Sequence, residues 1–335
     1  MTPDELRRLA RDRPLVTLER HEPNAYYGHD AVLKRYLGRP GWRPLPAAVE
    51  HSVYVSGYIW DVEADTPLRT ILCSTPERAA RYVERDPDAA APVPIGPVTA
   101  YMPPPPPPPA SGGALLAFPA HSTHLLESQF DVDEFIGQLE SVRQGFDTVR
   151  VCLYWKDVLL GRDAPYRAAG YTCVTAGHIY DAGFLFRLRD IFAGARGVVA
   201  NEVGSPVLYS VLWDRPVWVT EQKVRREAAS AEIIAREQVS DQQWEGETAT
   251  LRALFAEPSW ELTDEQRDHL RWFTGIPSVR PPSALRQILA EAAARYRAAV
   301  PPAERRQATV ALARRAARAA RQHPAGVRGI LRRGR

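Results

Sequence analysis

The stretch GVVANEVGSPVLYSVLWDRPVWV, residues 197–219, decides the fold. Its pattern predicts a buried strand, the polar turn NEVGS, a helix over SPVLYSVLWD and a second buried strand over RPVWVT. A strand, a helix and another strand form the repeating unit of a parallel sheet. Ligands of such sheets bind where the strands end, at the carboxyl edge, and the polar turn lies at that edge.

The same alternation runs back to residue 114. Apolar runs predict five strands, which are ALLAFPA (114–120), TVRVCLYW (148–155), YTCVTAG (171–177), GVVAN and RPVWVT. Four helical patterns lie between them. The first begins near Asp131, the second ends at Gly170, and the third and fourth cover AGFLFRLRDIFAG and SPVLYSVLWD. Five strands that alternate with helices predict an α/β fold with a parallel, doubly wound sheet.

Seven consecutive prolines in PPPPPPPASGG (103–113) predict an extended spacer. We place a domain boundary there; a long surface loop within one domain is the alternative. The patterns ahead of it predict a helix over 31–38 that stops at Gly38 and a strand over 50–60, or two strands there around Gly57. They then predict a strand over 69–74, a helix capped by Thr75, and an irregular edge segment over 91–101.

After residue 220 the patterns are helical only. They cover SAEIIAREQVSDQQW, TATLRALFA, LTDEQRDHLRWFTG and SALRQILAEAAARYRAA. Thr263 and Gln266 form a predicted capping box, and Gly275 a predicted stop. The predicted organisation is an N-terminal α/β domain over 1–102, a linker over 103–113, a C-terminal α/β domain over 114–240, helices over 241–300 and a basic tail over 301–335.

The composition excludes several classes of protein. The chain has 335 residues, of which 45% are hydrophobic and 25% charged, as in a globular protein of two domains. It has no run of about 18 apolar residues, which a membrane span requires, and no apolar core of a secretory signal. Cys73, Cys152 and Cys173 are isolated, which predicts free buried thiols rather than disulfides or zinc sites. We therefore expect a cytoplasmic protein.

The net charge of +3 is concentrated at the C-terminus. From residue 301 onward there are ten arginines and one acidic residue, Glu304. At helical spacing lie Arg314, Arg315, Arg318 and Arg321. This pattern fits binding to anionic lipid headgroups or to nucleic-acid phosphates, and we favour the lipid headgroups of a membrane. A solvated extension explains the pattern equally well.

The turn NEVGS contains the first candidate ligand site. Asn201, Glu202 and Gly204 lie at the strand end, and Ser205 begins the helix. The first turn of a helix has unpaired N–H groups and a partial positive charge, and a glycine lets a ligand approach them, so the turn suits a phosphate. Glu202 could accept hydrogen bonds from sugar hydroxyls. An ordinary capped turn without a ligand is the alternative.

Polar loops also follow two other predicted strands. The loop HSTH (121–124) comes directly after the first strand and could hold a phosphate or a carboxylate. His178, Tyr180 and Asp181 follow the third strand. Because parallel strands end at the same edge of a sheet, these loops are expected near NEVGS. Ordinary solvated loops remain the alternative for each one taken alone.

Other patterns are weak or missing. The segment DVD (131–133) matches an Asp-x-Asp metal-binding pattern, but capping of the following helix is the better interpretation, and we expect no metal site.

His51 could serve as a general base near neutral pH, or it is a core histidine. The sequence has no Gly-x-Gly-x-x-Gly, no Walker loop and no Gly-x-Ser-x-Gly, which disfavours dehydrogenases, nucleotide hydrolases and α/β-hydrolases.

Several segments, in this order, resemble bacterial glycosyltransferases of the GT-B type. They are NAYYGHDAVLKRYLG, VEHSVY, IGPVTAY, FPAHSTH and HIYDAGFLFRLRDIFAGARGVVANEVGSPVLYSVLWDRPVWV. The resemblance covers roughly residues 24–290 and is greatest for enzymes associated with surface polysaccharide. It implies two Rossmann-like domains, the N-terminal one reduced, and a C-terminal helical extension that packs back near the first domain.

The resemblance also implies roles for individual residues. Contacts to the donor diphosphate or sugar would come from Asn201, Gly204 and Ser205. The phosphate pocket would be lined by His121, Ser122 and Thr123, and His178 with Tyr180 would lie by the base or sugar. His51 would face them across the cleft as the catalytic base.

The implied function is transfer of a sugar from a nucleotide-activated donor to a glycan or lipid-linked acceptor. Such an enzyme would need no bound metal and no cofactor apart from the nucleotide sugar as donor substrate. It would be cytoplasmic, or peripheral at the inner face of an anionic membrane, without a specific nucleic-acid partner. The competing hypothesis is a non-catalytic protein that binds a nucleotide sugar or a glycan on the same scaffold.

Overall fold

The computed structural model describes residues 1–50, 58–123, 125–228 and 230–332. The strands within these ranges are β1 Ala48–Val49, β2 Thr70–Cys73, β3 Ala91–Pro94, β4 Ala114–Phe118, β5 Leu126–Gln129, β6 Thr148–Cys152, β7 Thr172–Val174, β8 Ala195–Ala200, β9 Val217–Val219 and β10 Arg225–Ala228.

The α-helices within the same ranges are α1 Pro3–Ala10, α2 His29–Leu37, α3 Asp61–Ala64, α4 Pro76–Arg85, α5 Val132–Val142, α6 Trp155–Leu159, α7 Ala164–Ala168, α8 Phe184–Phe192, α9 Ser205–Leu212, α10 Ala231–Leu254, α11 Asp264–Phe273, α12 Pro282–Ala299, α13 Pro302–Gln322 and α14 Pro324–Arg332. Short 3-10 helices cover Glu22–Gly28, Val98–Tyr101 and Ile276–Ser278.

The large sheet contains five parallel strands in the order β7-β6-β4-β8-β9. The central strand β4 is buried along its whole length because both of its faces are covered. Leu115 and Ala117 pack with Phe135 of α5, and Leu116 and Phe118 pack on the opposite face, which carries α8 and α9. The predicted mixed α/β fold with a parallel, doubly wound sheet is confirmed.

The small sheet contains three parallel strands in the order β1-β2-β3. The predicted strand over 69–74 and the helix capped by Thr75 are confirmed as β2 and α4. The predicted strand over 50–60 is wrong at Glu50 and at 58–60, and its remaining residues lie outside the described ranges. The segment 91–101 is not irregular throughout, because β3 pairs with β2; its prolines are tolerated because β3 is an edge strand.

Strands β5 and β10 form an antiparallel ribbon that sequence patterns did not predict. In its register Arg226 pairs with Ser128, and Glu227 with Glu127. The segments LESQ and RREA contain few apolar or β-branched residues, so neither has a strand signature.

The C-terminal helices follow the predicted pattern with one difference. The capping box of Thr263 and Gln266 and the left-handed stop at Gly275 are confirmed, whereas the two segments predicted between 230 and 256 form the single helix α10. Helix α12 packs on α2 and β2 of the small-sheet region, and Arg286 donates a hydrogen bond to the carbonyl of Leu37 at 3.1 Å. The basic segment forms α13 and α14.

The division of the chain into domains remains a prediction, and two contacts bear on it. Helix α1 packs beside α6, and its residues Leu6 and Ala10 share a core with β4 and α5, so the first residues of the chain belong to the large-sheet region. In the proline segment Pro105 is buried and the carbonyl of Pro106 accepts a hydrogen bond from Arg215. At least part of this segment is therefore packed against the protein.

The structure bears on two expectations from composition, which concern the three cysteines and membrane-spanning helices. Cys73, Cys152 and Cys173 are buried and free, as predicted. Within the part of the chain that the structure describes, no helix is both long enough and apolar enough to cross a bilayer.

The substitution Gly28→Ala is expected to destabilise the protein much more than Gly38→Ala. Both glycines flank α2 with positive φ, +80° and +64°, so both substitutions carry a left-handed penalty of roughly 1–2 kcal/mol. A Cβ at Gly28 would lie 2.3 Å from the carbonyl oxygen of Ala182, whereas at Gly38 no atom lies within 4 Å. Urea unfolding of both variants measures the difference, and equal losses would contradict the close contact.

Candidate functional site

A cavity of about 130 Å³ opens at the carboxyl edge of the large sheet. It lies in the crevice between the ends of β4 and β8, where the chain changes direction across the sheet. Helices α8 and α9 close one side of it. Among its lining residues are Tyr27, His121, Tyr154, Phe184, Glu202, Gly204, Ser205 and Tyr209.

Aromatic rings form one wall of the cavity. The hydroxyls of Tyr27 and Tyr154 are 3.4 Å apart, and the ring of Tyr27 meets Phe184 edge-on at 4.9 Å. Tyr27 has φ +55°, a strained backbone that costs on the order of 1–3 kcal/mol and persists only where its surroundings hold it. Its N–H donates to the carbonyl of Ile179 at 2.7 Å. The strained residue thus places an aromatic ring in the cavity wall.

A second, smaller cavity of about 10 Å³ lies at the carboxyl edge of the small sheet. Glu50, Ser74 and Ile95, which follow its three strands, line this cavity together with His29. Tyr209 of α9 lines both cavities. The carboxyl edges of the two parallel sheets therefore face each other across α9.

Glu50 anchors the edge of the small sheet. Its carboxylate accepts hydrogen bonds from the N–H and hydroxyl of Ser74, both at 3.0 Å, and from Nε of Arg78 at 2.7 Å. Burial raises the pKa of Glu50, and the positive charge of Arg78 opposes this shift. His51, the predicted base, follows Glu50 directly and lies outside the described residues, so its role stays a prediction.

We call the cavity at the carboxyl edge of the large sheet the main cavity. The start of α9 forms its polar end. Gly204 is the N-cap and Ser205 the first helical residue. Gly204 has an extended backbone, φ −167°, which any residue adopts. A Cβ there would meet no atom closer than 3.7 Å, from Pro206, apart from its chain neighbours. Neither backbone geometry nor packing therefore requires a glycine at this position.

An ion pair joins Glu202 of the cavity wall to Arg226 of the ribbon. Both side chains are about a quarter exposed, at 25% and 26%. The ribbon thus brings a guanidinium group to the residue after Asn201, close to the start of α9. Arg226 is a site residue that sequence reasoning missed, because its strand has no apolar alternation.

His121 lies in the cavity wall with its ring against Tyr154, at a centroid distance of 4.9 Å. Although the residue as a whole is exposed, desolvation of the ring lowers its pKa below 6.5; Asp157 opposes the shift and Arg226 adds to it. Burial raises the pKa of Asp157. A neutral imidazole has one donor and one acceptor, so His121 could take a proton near pH 7.

Ser122 and Thr123 fasten their own loop. The N–H of Ser122 donates to the carboxylate of Asp157 at 3.1 Å, and its hydroxyl accepts from Arg162 at 2.7 Å. The hydroxyl of Thr123 accepts from the N–H of Leu126 at 3.1 Å. Neither residue lines the cavity. His124 of the same loop lies outside the described residues.

Asn201 joins two strand-end loops. Its side-chain oxygen accepts from the N–H of Ala120 at 2.6 Å, and its side-chain nitrogen donates to Gln222 at 2.6 Å. The residue is completely buried, and it does not line the cavity. In this arrangement Asn201 positions the loops after β4 and β8 relative to each other.

His178 and Tyr180 lie on the side that faces the N-terminal segment. The ring of His178 is buried against Trp155 at 4.2 Å, and its Nδ1 accepts from the N–H of Tyr180 at 3.1 Å. Its Nε2 lies 3.2 Å from a carboxylate oxygen of Asp12. The Tyr180 ring packs 5.4 Å from that of Tyr26. The structure does not place these two residues in the cavity.

The predicted site residues therefore separate into two groups. The cavity brings together His121, Glu202, Gly204 and Ser205, and the other described candidates hold loops in place. The donor-binding roles of all of them remain predictions. Asp131 caps α5 by accepting from the N–H of Glu134 at 3.0 Å, as predicted. Among the described residues, no three His, Cys, Asp or Glu side chains cluster as metal ligands.

No family model and no curated protein matches the chain. Its structure is similar to that of the pneumococcal O-GlcNAc transferase GtfA in complex with UDP and GlcNAc, with 12% identity and a TM-score of 0.35. The match covers 67% of this chain and 45% of that one, so the chain spans less than half of its length. A TM-score this low does not establish a shared fold.

Acidification from pH 7.5 to pH 5.5 is expected to destabilise the protein partly through His178. Burial lowers its pKa in the folded state, although Asp12 opposes the shift. Because the unfolded state then binds more protons, stability is present above the unfolded pKa near 6.5 and is lost as the pH falls below it. The variant His178→Asn removes this titration, so its free energy of unfolding should fall less steeply over the same range. Equal slopes in urea unfolding would contradict the assignment.

Proposed function

We propose that this protein is a glycosyltransferase that moves a sugar from a nucleotide-activated donor to a glycan or lipid-linked acceptor. The observation that carries the proposal is the cavity in the crevice between β4 and β8, with the first turn of α9 in its wall. In doubly wound sheets this crevice binds nucleotides, and a helix N-terminus favours phosphate.

Gly204 supports the placement of a phosphate. The protein leaves room for a side chain at this position, yet the residue is a glycine with ordinary extended geometry. A ligand that approaches the backbone at the start of α9 accounts for that choice, because a Cβ would project into the space that the ligand needs.

Arg226 is proposed to bind the donor diphosphate. In the unliganded protein its guanidinium is paired with Glu202, a carboxylate in the cavity wall. A diphosphate likewise offers pairs of oxygens for two parallel hydrogen bonds, with more negative charge than a carboxylate. Exchange of Arg226 from Glu202 to the diphosphate would free the carboxylate to accept hydrogen bonds from sugar hydroxyls.

The proposed reaction is largely electrostatic. The bond between the anomeric carbon and the diphosphate oxygen breaks, and its electron pair goes to the diphosphate, which α9 and Arg226 stabilise in place of a metal ion. The acceptor oxygen bonds to the anomeric carbon, and its proton passes to a histidine. His51 is the candidate from sequence, and among the described lining residues of the main cavity His121 is the imidazole available.

A second candidate is a non-catalytic protein that binds the same class of ligand. The lining of the cavity favours it, because aromatic and apolar side chains form most of the wall and His121 is the one imidazole among the described lining residues. Such a protein would bind a donor or a glycan without turnover. Binding and transfer must therefore be measured separately.

Binding of a nucleotide sugar is expected to raise the melting temperature, and Arg226→Ala is expected to abolish most of that shift. A panel of UDP-, GDP-, CMP-, CDP- and dTDP-sugars serves as the probe, because a ligand at 100 times its Kd adds about 2.7 kcal/mol of stability. Arg225→Ala is the matched control, since Arg225 is the exposed neighbour on the same strand.

Release of free nucleotide in the presence of EDTA then separates an enzyme from a binder. Turnover with the donor that shifts the melting temperature supports the transferase, and binding without turnover supports the second candidate. A flat panel at millimolar ligand would overturn the transferase and a binder of nucleotide sugars.

The substitution Gly204→Ala is expected to weaken donor binding at least tenfold without lowering the stability of the unliganded protein. The added Cβ meets no protein atom closer than 3.7 Å beyond the adjacent residues, so the fold has no reason to lose stability. Calorimetric titration with the donor and urea unfolding measure the two effects. Unchanged affinity would show that no ligand contacts the start of α9.

A further inference from the structure

Helix α13 carries concentrated positive charge that the cavity does not use. From residue 301 onward the chain has ten arginines and a single acidic residue, Glu304. Helix α13 covers 21 residues, and none of them is fully buried. A helix this basic and this exposed needs a physical explanation other than the packing of a core.

The two faces of α13 differ. The inner face packs on the protein through half-buried residues that include Leu312, Ala316 and Ala319. Arg315 on this face pairs with Glu22 and donates to the carbonyl of Glu19. The outer face carries the exposed side chains of Arg306, Val310, Arg314, Arg318 and Arg321. We call these five residues the basic face.

The basic face is held in a defined direction. Helix α14 follows α13 directly and contacts it, and its residues Val327 and Ile330 are buried. Gly326 packs close to Val16, since a Cβ at Gly326 would lie 3.4 Å from that side chain. The contacts of Arg315 and Gly326 therefore hold the segment on the protein, and the arginines of the basic face are exposed.

Two apolar side chains are exposed in the same region. Val310, within the basic face, is 48% exposed, and Trp42 is 54% exposed. The ammonium group of Lys34 bonds both to the carbonyl of Gly41, at 3.0 Å, and to the carboxylate of Glu19, at 2.5 Å. Because the carbonyl of Glu19 accepts from Arg315, the loop that contains Trp42 lies beside the docking point of α13.

We propose that the basic face docks on the surface of an anionic lipid bilayer and that Trp42, on the loop beside α13, reaches the same surface. Arginines attract acidic headgroups, and tryptophan prefers the boundary between headgroups and acyl chains. An exposed valine inside the row of arginines gains burial in a bilayer interface, whereas a nucleic-acid backbone offers it no apolar surface. Lipid is therefore favoured over nucleic acid as the partner.

This inference is independent of the proposed function. The basic face and Trp42 are separate from the residues that line the two cavities. Binding to vesicles is measured without any sugar donor, and donor binding is measured without vesicles. Failure of one proposal thus leaves the other standing.

Full-length protein is expected to co-sediment with vesicles of phosphatidylcholine that contain one third phosphatidylglycerol, and not with phosphatidylcholine alone. The double variant Arg314→Glu, Arg318→Glu should bind roughly 25-fold more weakly or worse, since each surface arginine contributes about fivefold. The control is Arg11→Glu, Arg271→Glu, which changes the net charge equally at two exposed arginines outside the basic face. Trp42→Ser should weaken binding even where high salt screens the arginines.

Several results would overturn the proposal. Equal losses in the two double variants would show a non-specific effect of net charge. No binding to the anionic vesicles, or binding to RNA and duplex DNA in preference to vesicles, would assign the basic face to another partner or to none. Circular dichroism of each variant establishes that it is folded before the comparison.

Discussion

The backbone of Tyr27 and Gly28 approaches the loop after β7 so closely that only a glycine fits at residue 28. The N–H of Tyr27 bonds to Ile179, and Gly28 lies against the carbonyl of Ala182. This contact joins the segment that leads into α2 and the small sheet to the carboxyl edge of the large sheet. The cavity has its aromatic wall because the contact holds Tyr27 in a conformation that it would not adopt alone.

Helix α9 borders both cavities. Its first residues form the polar end of the main cavity, and Tyr209, one turn further along, separates that cavity from the smaller one at the edge of the small sheet. One short helix thus serves both sheets. The pairing of Glu202 with Arg226 fits this picture, because a guanidinium left alone beside a helix N-terminus would face a like partial charge.

The large sheet could be predicted from sequence because its strands are buried on both faces and are therefore continuous apolar runs, such as ALLAF in β4. The ribbon could not be predicted from sequence, because its segments RREA and LESQ are polar and pair through their backbones. Arg226 was missed for the same reason. Polar residues at strand ends were easy to find and hard to assign, since buried loops need side chains such as Asn201 and Asp157 to accept hydrogen bonds from their backbone N–H groups.

The contacts that dock α13 connect it through hydrogen bonds to the small sheet. Arg315 binds the segment around Glu19, and the carboxylate of Glu19 bonds to Asn24. The side chain of Asn24 in turn bonds to the backbone of Ala47, just before β1, and of Val49 in β1. Hydrogen bonds thus run from α13 to the small sheet, and the carboxylate of Glu19 within this chain is held further by Lys34 at 2.5 Å. Coupling between distant sites requires an element with two arrangements. A bilayer bound to the basic face would therefore set the orientation of the cavity relative to the membrane, and this chain of contacts gives no reason for it to open or close the cavity.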